Sequence, residues 1–285
     1  MTNNDLQAGF IKAKTITKHF AKTFYLASLF LPKEKRLASY SVYSICRLSD
    51  EIVDNPDNEL FISSLEKLRA NIDLAYSNKN LTDGLLRAFQ ATINKYKIPK
   101  EYFLELLNGM HSDITKKRYA NFDELNNYCF KAAGVVGLIM LKIFDLKNEN
   151  AKNFAIDLGI GMQLTNILRD IKEDYLRGRI YIPADEMKLF AIREEDIANE
   201  IISDNLINLL KYQIKRAREY YANSNKGIYM ISDSRSRFVV TVMKEIYSGI
   251  LDEIENNHYN IFNKRVHVNR IKKILIIFKI FFRKS

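Results

Sequence analysis

Two stretches of this sequence set carboxylates four residues apart on otherwise apolar segments. The first runs from Tyr40 to Asp54, YSVYSICRLSDEIVD. On a helix turning about 100° per residue, Tyr43, Arg47, Asp50 and Asp54 share an arc of about 60°. Val42, Ile45, Leu48, Ile52 and Val53 occupy the rest of the surface. The second runs from Gly159 to Asp174, GIGMQLTNILRDIKED, and brings Gln163, Asn166, Asp170 and Asp174 within about 80° of one another. Its flanks, Met162, Leu164, Ile167, Leu168 and Ile171, are again apolar. Carboxylates at i and i+4 repel by a few tenths of a kcal/mol when exposed. In a partly buried groove the cost rises steeply unless a cation compensates. A hard divalent ion such as Mg²⁺ does so with one or two carboxylates, waters and phosphate oxygens. Two such faces opposed across a cleft would hold two or three ions and two diphosphate groups. Arg47 and Arg169, beside the acids, add fixed positive charge. Either pair alone is also what a solvated helix carries, and Asp50/Asp54 could simply end a helix before Asn55-Pro56. The conjunction of two pairs, each on an apolar helix beside an arginine, favours the metal reading.

Elements that could hold these faces follow from the punctuation. Only 10 Gly and 4 Pro interrupt 285 residues, too few for a β protein that must turn every ~8–12 residues. Between breaks, apolar residues recur at three- and four-residue intervals, as amphipathic helices require. The pattern predicts helices at about 4–20, 33–55, 59–77, 81–96, 100–117, 122–145, 148–177, 203–223, 234–257 and 267–283. The one strand signal is Arg179-Ile180-Tyr181-Ile182. No linker or composition shift divides the chain, so residues 1–285 are read as one all-α domain.

Net charge is +10, which suits nucleic acid, anionic lipid or phosphorylated small molecules alike. No nucleic-acid motif accompanies it, so nucleic acid is not expected as a partner. Cys46 and Cys129 lie far apart, fit the core, and suggest neither zinc nor a disulfide framework. His19, His111, His258 and His267 show no ligand spacing. Gly159-Ile-Gly161 lies within a helical pattern and reads as close helix packing, not a dinucleotide loop. The polar N-terminus lacks the apolar core of a signal peptide, and no run reaches the ~20 apolar residues of a membrane span. A cytoplasmic protein is expected. The segment 270–285, RIKKILIIFKIFFRKS, mixes basic with large apolar residues. It is either a core-packed final helix or one that lies on a membrane surface.

At the acidic faces the sequence resembles the squalene/phytoene synthase family, which carries Asp-x-x-x-Asp on two facing helices. Here these are Asp50–Asp54 in CRLSDEIVD and Asp170–Asp174 in QLTNILRDIKED, and GIGMQLTNILRDIKEDYLRGRIYIP matches almost throughout. Lys22-Thr23-Phe24-Tyr25 followed by Phe30-Leu31-Pro32, the stretch Tyr128–Gly137, and Tyr247–Glu255 with Lys264-Arg265-Val266 also agree. The resemblance spans residues 10–275. It implies an isoprenoid-synthase helical bundle around an apolar cavity. Asp50, Asp54, Asp170 and Asp174, helped by Asn166, would hold Mg²⁺. Lys22, Thr23, Phe24, Arg47, Val136, Gly137, Gln163, Asn166, Arg169 and Arg265 would bind substrate. Tyr43, Tyr128, Tyr181 and Tyr247 would stand near the reacting carbons as catalytic groups. Ala21 replaces a serine frequent in relatives, so a hydroxyl contact there is lost. The implied reaction joins two prenyl diphosphates 1'-1 through a cyclopropylcarbinyl diphosphate. Ser28, small and one turn beyond Phe24, is expected to leave room for a C20 tail, giving phytoene from geranylgeranyl diphosphate. A C15-specific squalene or dehydrosqualene synthase is the alternative, with NADPH needed only if squalene forms. A non-catalytic assembly factor of the same fold is the remaining reading, against which all four aspartates are retained.

Overall fold

A computed structural model describes residues 3–54, 60–77, 79, 81–145 and 151–282. The expected helix boundaries at 55, 59, 148 and 283 and the last residues of segment 270–285 fall outside them. In chain order the helices are α1 (Asn3–Phe20), α2 (Lys22–Ser28), α3 (Lys33–Asp54), α4 (Phe61–Tyr76), α5 (Gly84–Tyr96), α6 (Lys100–Thr115) and α7 (Phe122–Cys129). A π turn, Phe130–Gly134, runs directly into α8 (Val135–Phe144). Then follow α9 (Ala151–Arg169), α10 (Ile171–Leu176), α11 (Ala184–Leu189), α12 (Glu194–Ala198), α13 (Asp204–Ile228), α14 (Ser234–Asn256) and α15 (Arg270–Phe282). The fold is all-α. Among the described residues the strand expected at Arg179–Ile182 reduces to one isolated bridge, Ile180 with Arg118.

Helix starts have local causes. The side chains of Asp83, Asn121, Ser203 and Asp233 accept backbone N–H groups at the first turns of α5, α7, α13 and α14, satisfying donors a helix end leaves orphaned. The long helix expected over 148–177 is broken at Asp170, whose φ of −108° and ψ of 17° lie outside the helical region. The ladder survives on either side, with Asp170 N donating to Asn166 O (2.9 Å) and Asp174 N to Asp170 O (2.8 Å). Three short helices, α2, α11 and α12, lie in segments too brief for periodicity to reveal.

α9 is the central helix, packed against α13, α8, α14 and the π turn. Its close approach to α8 and to the π turn depends on Gly137 and Gly159: a methyl group on Gly137 would run into the Ala155 carbonyl, and one on Gly159 into the Ala133 carbonyl of the π turn. Gly159 therefore packs, as its place in a helical pattern implies. One contiguous apolar core extends from Ala27 to Ile280, with a small satellite at Ala13, Tyr40 and Leu85. The continuous helical run Phe122–Phe144 is long and apolar enough to cross a membrane by length and composition, contrary to the expectation that no such run exists. Half of that stretch is buried inside the protein, where Ala132, Val136, Met140 and Phe144 wall a cavity, so it serves as a core helix.

Candidate functional site

α3 and α9–α10 bring their acidic faces to opposite sides of a polar chamber of about 290 Å³. Asp50 and Asp54 line it from α3, and Asp170 and Asp174 from the broken helix, with Asn166, Gln163 and Arg169 on the preceding turns. Beside it lies an apolar cavity of about 430 Å³. Asp50, Ala132, Gln163 and Asn166 border both spaces, so they form the throat between them. Ala132 belongs to the π turn, a distortion that recurs at functional sites because it re-aims side chains. The cavity follows one face of α9 through Asn166, Met162, Gly159, Ala155 and Ala151. At 1.5 Å per residue that face is about 22 Å long.

The four aspartates differ in their surroundings. Burial and the neighbouring Asp54 carboxylate push Asp50 up to about 7. Burial and Asp170 likewise raise Asp174 to about 7. Asp170 is also buried, yet hydrogen bonds from Arg169 and Arg265 reverse that effect and hold it below its ordinary value. Arg169 reaches its two oxygens at 2.7 and 2.5 Å, and Arg265 reaches both at 2.7 Å. Asp54 faces Arg179 at 3.3 Å and Arg177 at 3.6 Å.

Neither arginine was among the residues expected at the site: Arg177 closed an expected helix and Arg179 opened the strand signal. Gly178 between them adopts φ 74° with nothing within 4 Å of its missing Cβ, a conformation glycine takes without steric cost. The turn folds Arg177 and Arg179 back onto the chamber, and Arg179 also donates to the Val53 carbonyl at 3.0 Å. Asp113 is the second omission. It is 5% exposed and accepts hydrogen bonds from Tyr128 (2.9 Å) and Tyr181 (2.7 Å). Burial raises its carboxyl, with the two phenols opposing that rise. A signal existed: Asp113 continues the stripe Phe103, Leu106, Met110 of α6 as a lone acid on a buried face.

The four tyrosines separate into two pairs. Tyr128 and Tyr181 stand in the polar chamber on Asp113, their rings stacked at 5.1 Å with Tyr119 alongside. Tyr43 and Tyr247 line the apolar cavity, and burial pushes the Tyr43 phenol up to about 12. Phe24, Val136 and Gly137 line the same cavity. Lys22 and Thr23 do not border either space: Lys22 is exposed, and Thr23 accepts a hydrogen bond from Lys273 at 2.8 Å. Arg47 stacks on Phe20, 4.2 Å from the ring centroid. Ser28 does not line the cavity. It is fully buried at the end of α2 and bonds to the Tyr40 hydroxyl at 2.7 Å, so it packs against α3 instead. Cys46 and Cys129 are free and buried, and burial raises both thiols far above their usual value.

Among the described residues no three acidic, histidine or cysteine side chains converge into a ready-made metal cage. The donor set instead fits a cation that completes its shell with ligand oxygens, since hard Mg²⁺ takes one or two carboxylates at a time. Two buried polar atoms of residues lining the chamber, Asn166 Oδ1 and Arg179 Nε, have no partner within the protein. Buried groups of this kind are rarely left unmade. An anion-bearing ligand with its cation would satisfy both classes.

The chain is similar to known proteins over nearly its whole length. A sequence model of the squalene/phytoene synthase family matches residues 17–272. Phytoene synthase 1, chloroplastic, of Zea mays is 37% identical over 284 residues, 97% of this chain and 69% of the relative. The corresponding enzyme of Arabidopsis thaliana is 38% identical over 266 residues, 91% of this chain and 63% of the relative. A crystallised dehydrosqualene synthase in complex with ligand superposes with a TM-score of 0.91 at 27% identity, covering 99% of both chains. The matched region contains both carboxylate segments and the helices that wall the cavity, and the chain belongs to the squalene/phytoene synthase family of prenyltransferases.

Proposed function

We propose that this chain condenses two molecules of geranylgeranyl diphosphate head to head, 1'-1, in a Mg²⁺-dependent reaction that yields phytoene and two diphosphates. The carrying observation is the throat at Asp50, Gln163 and Asn166, which joins a charged chamber to an apolar cavity. A substrate with an anionic head and a long hydrocarbon tail fits that junction. Asp50 and Asp54 would hold metal from α3, and Asp170 and Asp174, with Asn166, from α9–α10. When bound, Mg²⁺ neutralises the developing charge of the diphosphate leaving group. Arg177, Arg179 and Arg169 add fixed cations to the same chamber, and Arg265 reaches it through Asp170. Fixed charges aimed where the leaving group forms need no reorganisation during reaction.

The first allylic C1–O bond breaks as diphosphate leaves. The C2=C3 double bond of the second molecule attacks C1, and loss of a proton closes the cyclopropylcarbinyl diphosphate. The second C–O bond then breaks, and rearrangement with loss of another proton gives the hydrocarbon. The apolar cavity excludes water that would quench the cations. Tyr43, Tyr247 and Phe24 face this space with aromatic surfaces that stabilise positive charge. Tyr128 and Tyr181 are held on Asp113, which fixes their phenols at the chamber wall. The departing diphosphate accepts the protons.

Phytoene as product is supported by the identity to phytoene synthases and by the ~22 Å cavity face of α9. The C15 reading, a dehydrosqualene or squalene synthase, is favoured by the structural likeness to a dehydrosqualene synthase; NADPH enters only if squalene forms. The two free, buried cysteines suit a reducing, cytoplasmic setting. The purified chain, Mg²⁺ and either C15 or C20 diphosphate form the test. Pyrophosphate release with a C40 hydrocarbon product supports the proposal. Consumption of the C15 substrate alone overturns the C20 assignment, and release from neither substrate leaves the assembly-factor reading.

A further inference from the structure

α15 buries only one of its faces. Ile276, Ile277 and Ile280 turn inward, whereas Ile271, Ile274, Leu275, Phe278, Phe281 and Phe282 are 47–71% exposed. At 100° per residue these six outward side chains occupy one arc of about 120°. A water-facing helix would place polar residues there. The borders of the arc are basic: Lys279 on one side, beside Lys272, which pairs with Glu253 of α14, and Arg270 on the other. No acidic residue occurs anywhere in Arg270–Phe282.

The apolar surface continues onto α2 and the turn that follows it. Leu26, Leu29 and Phe30 are exposed there, and Phe30 meets Phe238 at 5.0 Å while Phe238 meets Phe281 at 6.3 Å. Lys273 ties the two helices together through the Thr23 hydroxyl. α2 likewise lacks acidic residues, and Lys22 stands on its outer face. Its inner face carries Phe24, which lines the apolar cavity together with Phe20 and Ala21. A single short helix therefore separates the cavity from the exposed apolar surface.

We infer that the outer face of α15, with Leu26 of α2 and Leu29 and Phe30 of the turn after it, docks on an anionic lipid bilayer and delivers apolar product into it past α2. An apolar stripe edged by lysine and arginine is the composition that lies in the headgroup boundary, with the cations reaching anionic lipid. The absence of acidic residues on both helices gives the face the sign a bilayer with anionic lipids attracts. The docking surface stands on its own composition. Its use for delivering hydrocarbon rests on the prenyl-condensation reading.

The chain contains no tryptophan, so Phe278→Trp creates a single fluorescent probe in the full protein. With vesicles of phosphatidylglycerol and phosphatidylcholine its emission shifts to the blue and is quenched by brominated acyl chains, and it stays unshifted with phosphatidylcholine alone. Ile274→Glu/Phe278→Glu lowers co-sedimentation with the anionic vesicles by about tenfold or more. It leaves pyrophosphate release from detergent-dispersed substrate at the wild-type rate. Unshifted Phe278→Trp emission on anionic vesicles overturns the inference. So does a dimer in light scattering that the double substitution dissolves, which would make the face a contact between two copies of this chain. If wild-type protein binds vesicles but releases no pyrophosphate, the docking surface stands and the catalytic reading falls.

Discussion

Replacing Asp50 by asparagine should stabilise the metal-free protein while disabling it. Asp50 stands at the throat, and burial with Asp54 nearby raises its carboxyl from 3.8 to about 7. A folded pKa above the unfolded one means the native state binds more protons between those values, so stability falls as pH rises through that window. A rise of about three units corresponds to about 4 kcal/mol at 1.36 kcal/mol per unit. Screening by water in the open chamber reduces this to about 2 kcal/mol. Unfolding entropy of ~2.1 cal/mol/K per residue converts 2 kcal/mol into about 3 °C for a chain of this length. In EDTA at pH 8, Asp50→Asn should therefore melt about 3 °C above wild type. At pH 5, where the native carboxyl is protonated, the gap should shrink to about 1 °C. With Mg²⁺ and prenyl diphosphate the same variant should lose about a hundredfold in pyrophosphate release. Differential scanning fluorimetry across pH and a coupled pyrophosphate assay read the two arms. A variant that melts below wild type at pH 8, or keeps full turnover, refutes the reasoning.

Gly159→Ala places a methyl group against the Ala133 carbonyl and the Gly134 backbone; backbone atoms yield poorly, so urea denaturation should show a loss of about 1–3 kcal/mol. Tyr128→Phe keeps the ring stack but removes a hydrogen bond to buried Asp113. Its stability should fall by about 2 kcal/mol, and turnover with it; unchanged values for both would show that the phenol does not hold Asp113. Ala151→Phe fills the stretch of cavity about 22 Å along α9 from Asn166. The kcat/KM ratio of C20 to C15 diphosphate should fall about tenfold, and an unchanged ratio would mean the tail lies elsewhere.

The all-α architecture was legible because its carriers are long and regular. α3, α13 and α14 span six turns or more with unbroken apolar periodicity. Both carboxylate pairs were visible for the same reason, since helical spacing alone puts Asp50 and Asp54 on one arc. The break at Asp170 was not visible, because its residues favour helix locally; it coincides with the two arginines that clasp its carboxylate. Arg265 meets Asp170 across 95 residues, a contact no local pattern encodes. Arg177 closed an expected helix and Arg179 opened the strand signal, so neither pointed to the site; Gly178 between them marks a turn, and where that turn points depends on tertiary packing. Ser28 shares a helix face with Phe24, but it sits at the end of α2, where its hydroxyl meets Tyr40 of α3 rather than the cavity, a tertiary contact that spacing does not show. Asp113 could have been found by asking why an acid continues an apolar stripe.

Binding of inorganic pyrophosphate, followed by calorimetry with Mg²⁺ and again with EDTA, bears most directly on whether the four aspartates form one metal-diphosphate chamber. The expected result is binding at least about a hundredfold tighter with Mg²⁺, and loss of that gain in both Asp54→Asn and Asp174→Asn, one from each face. Equal affinity with and without the metal, or a gain that survives the removal of either face, would contradict it.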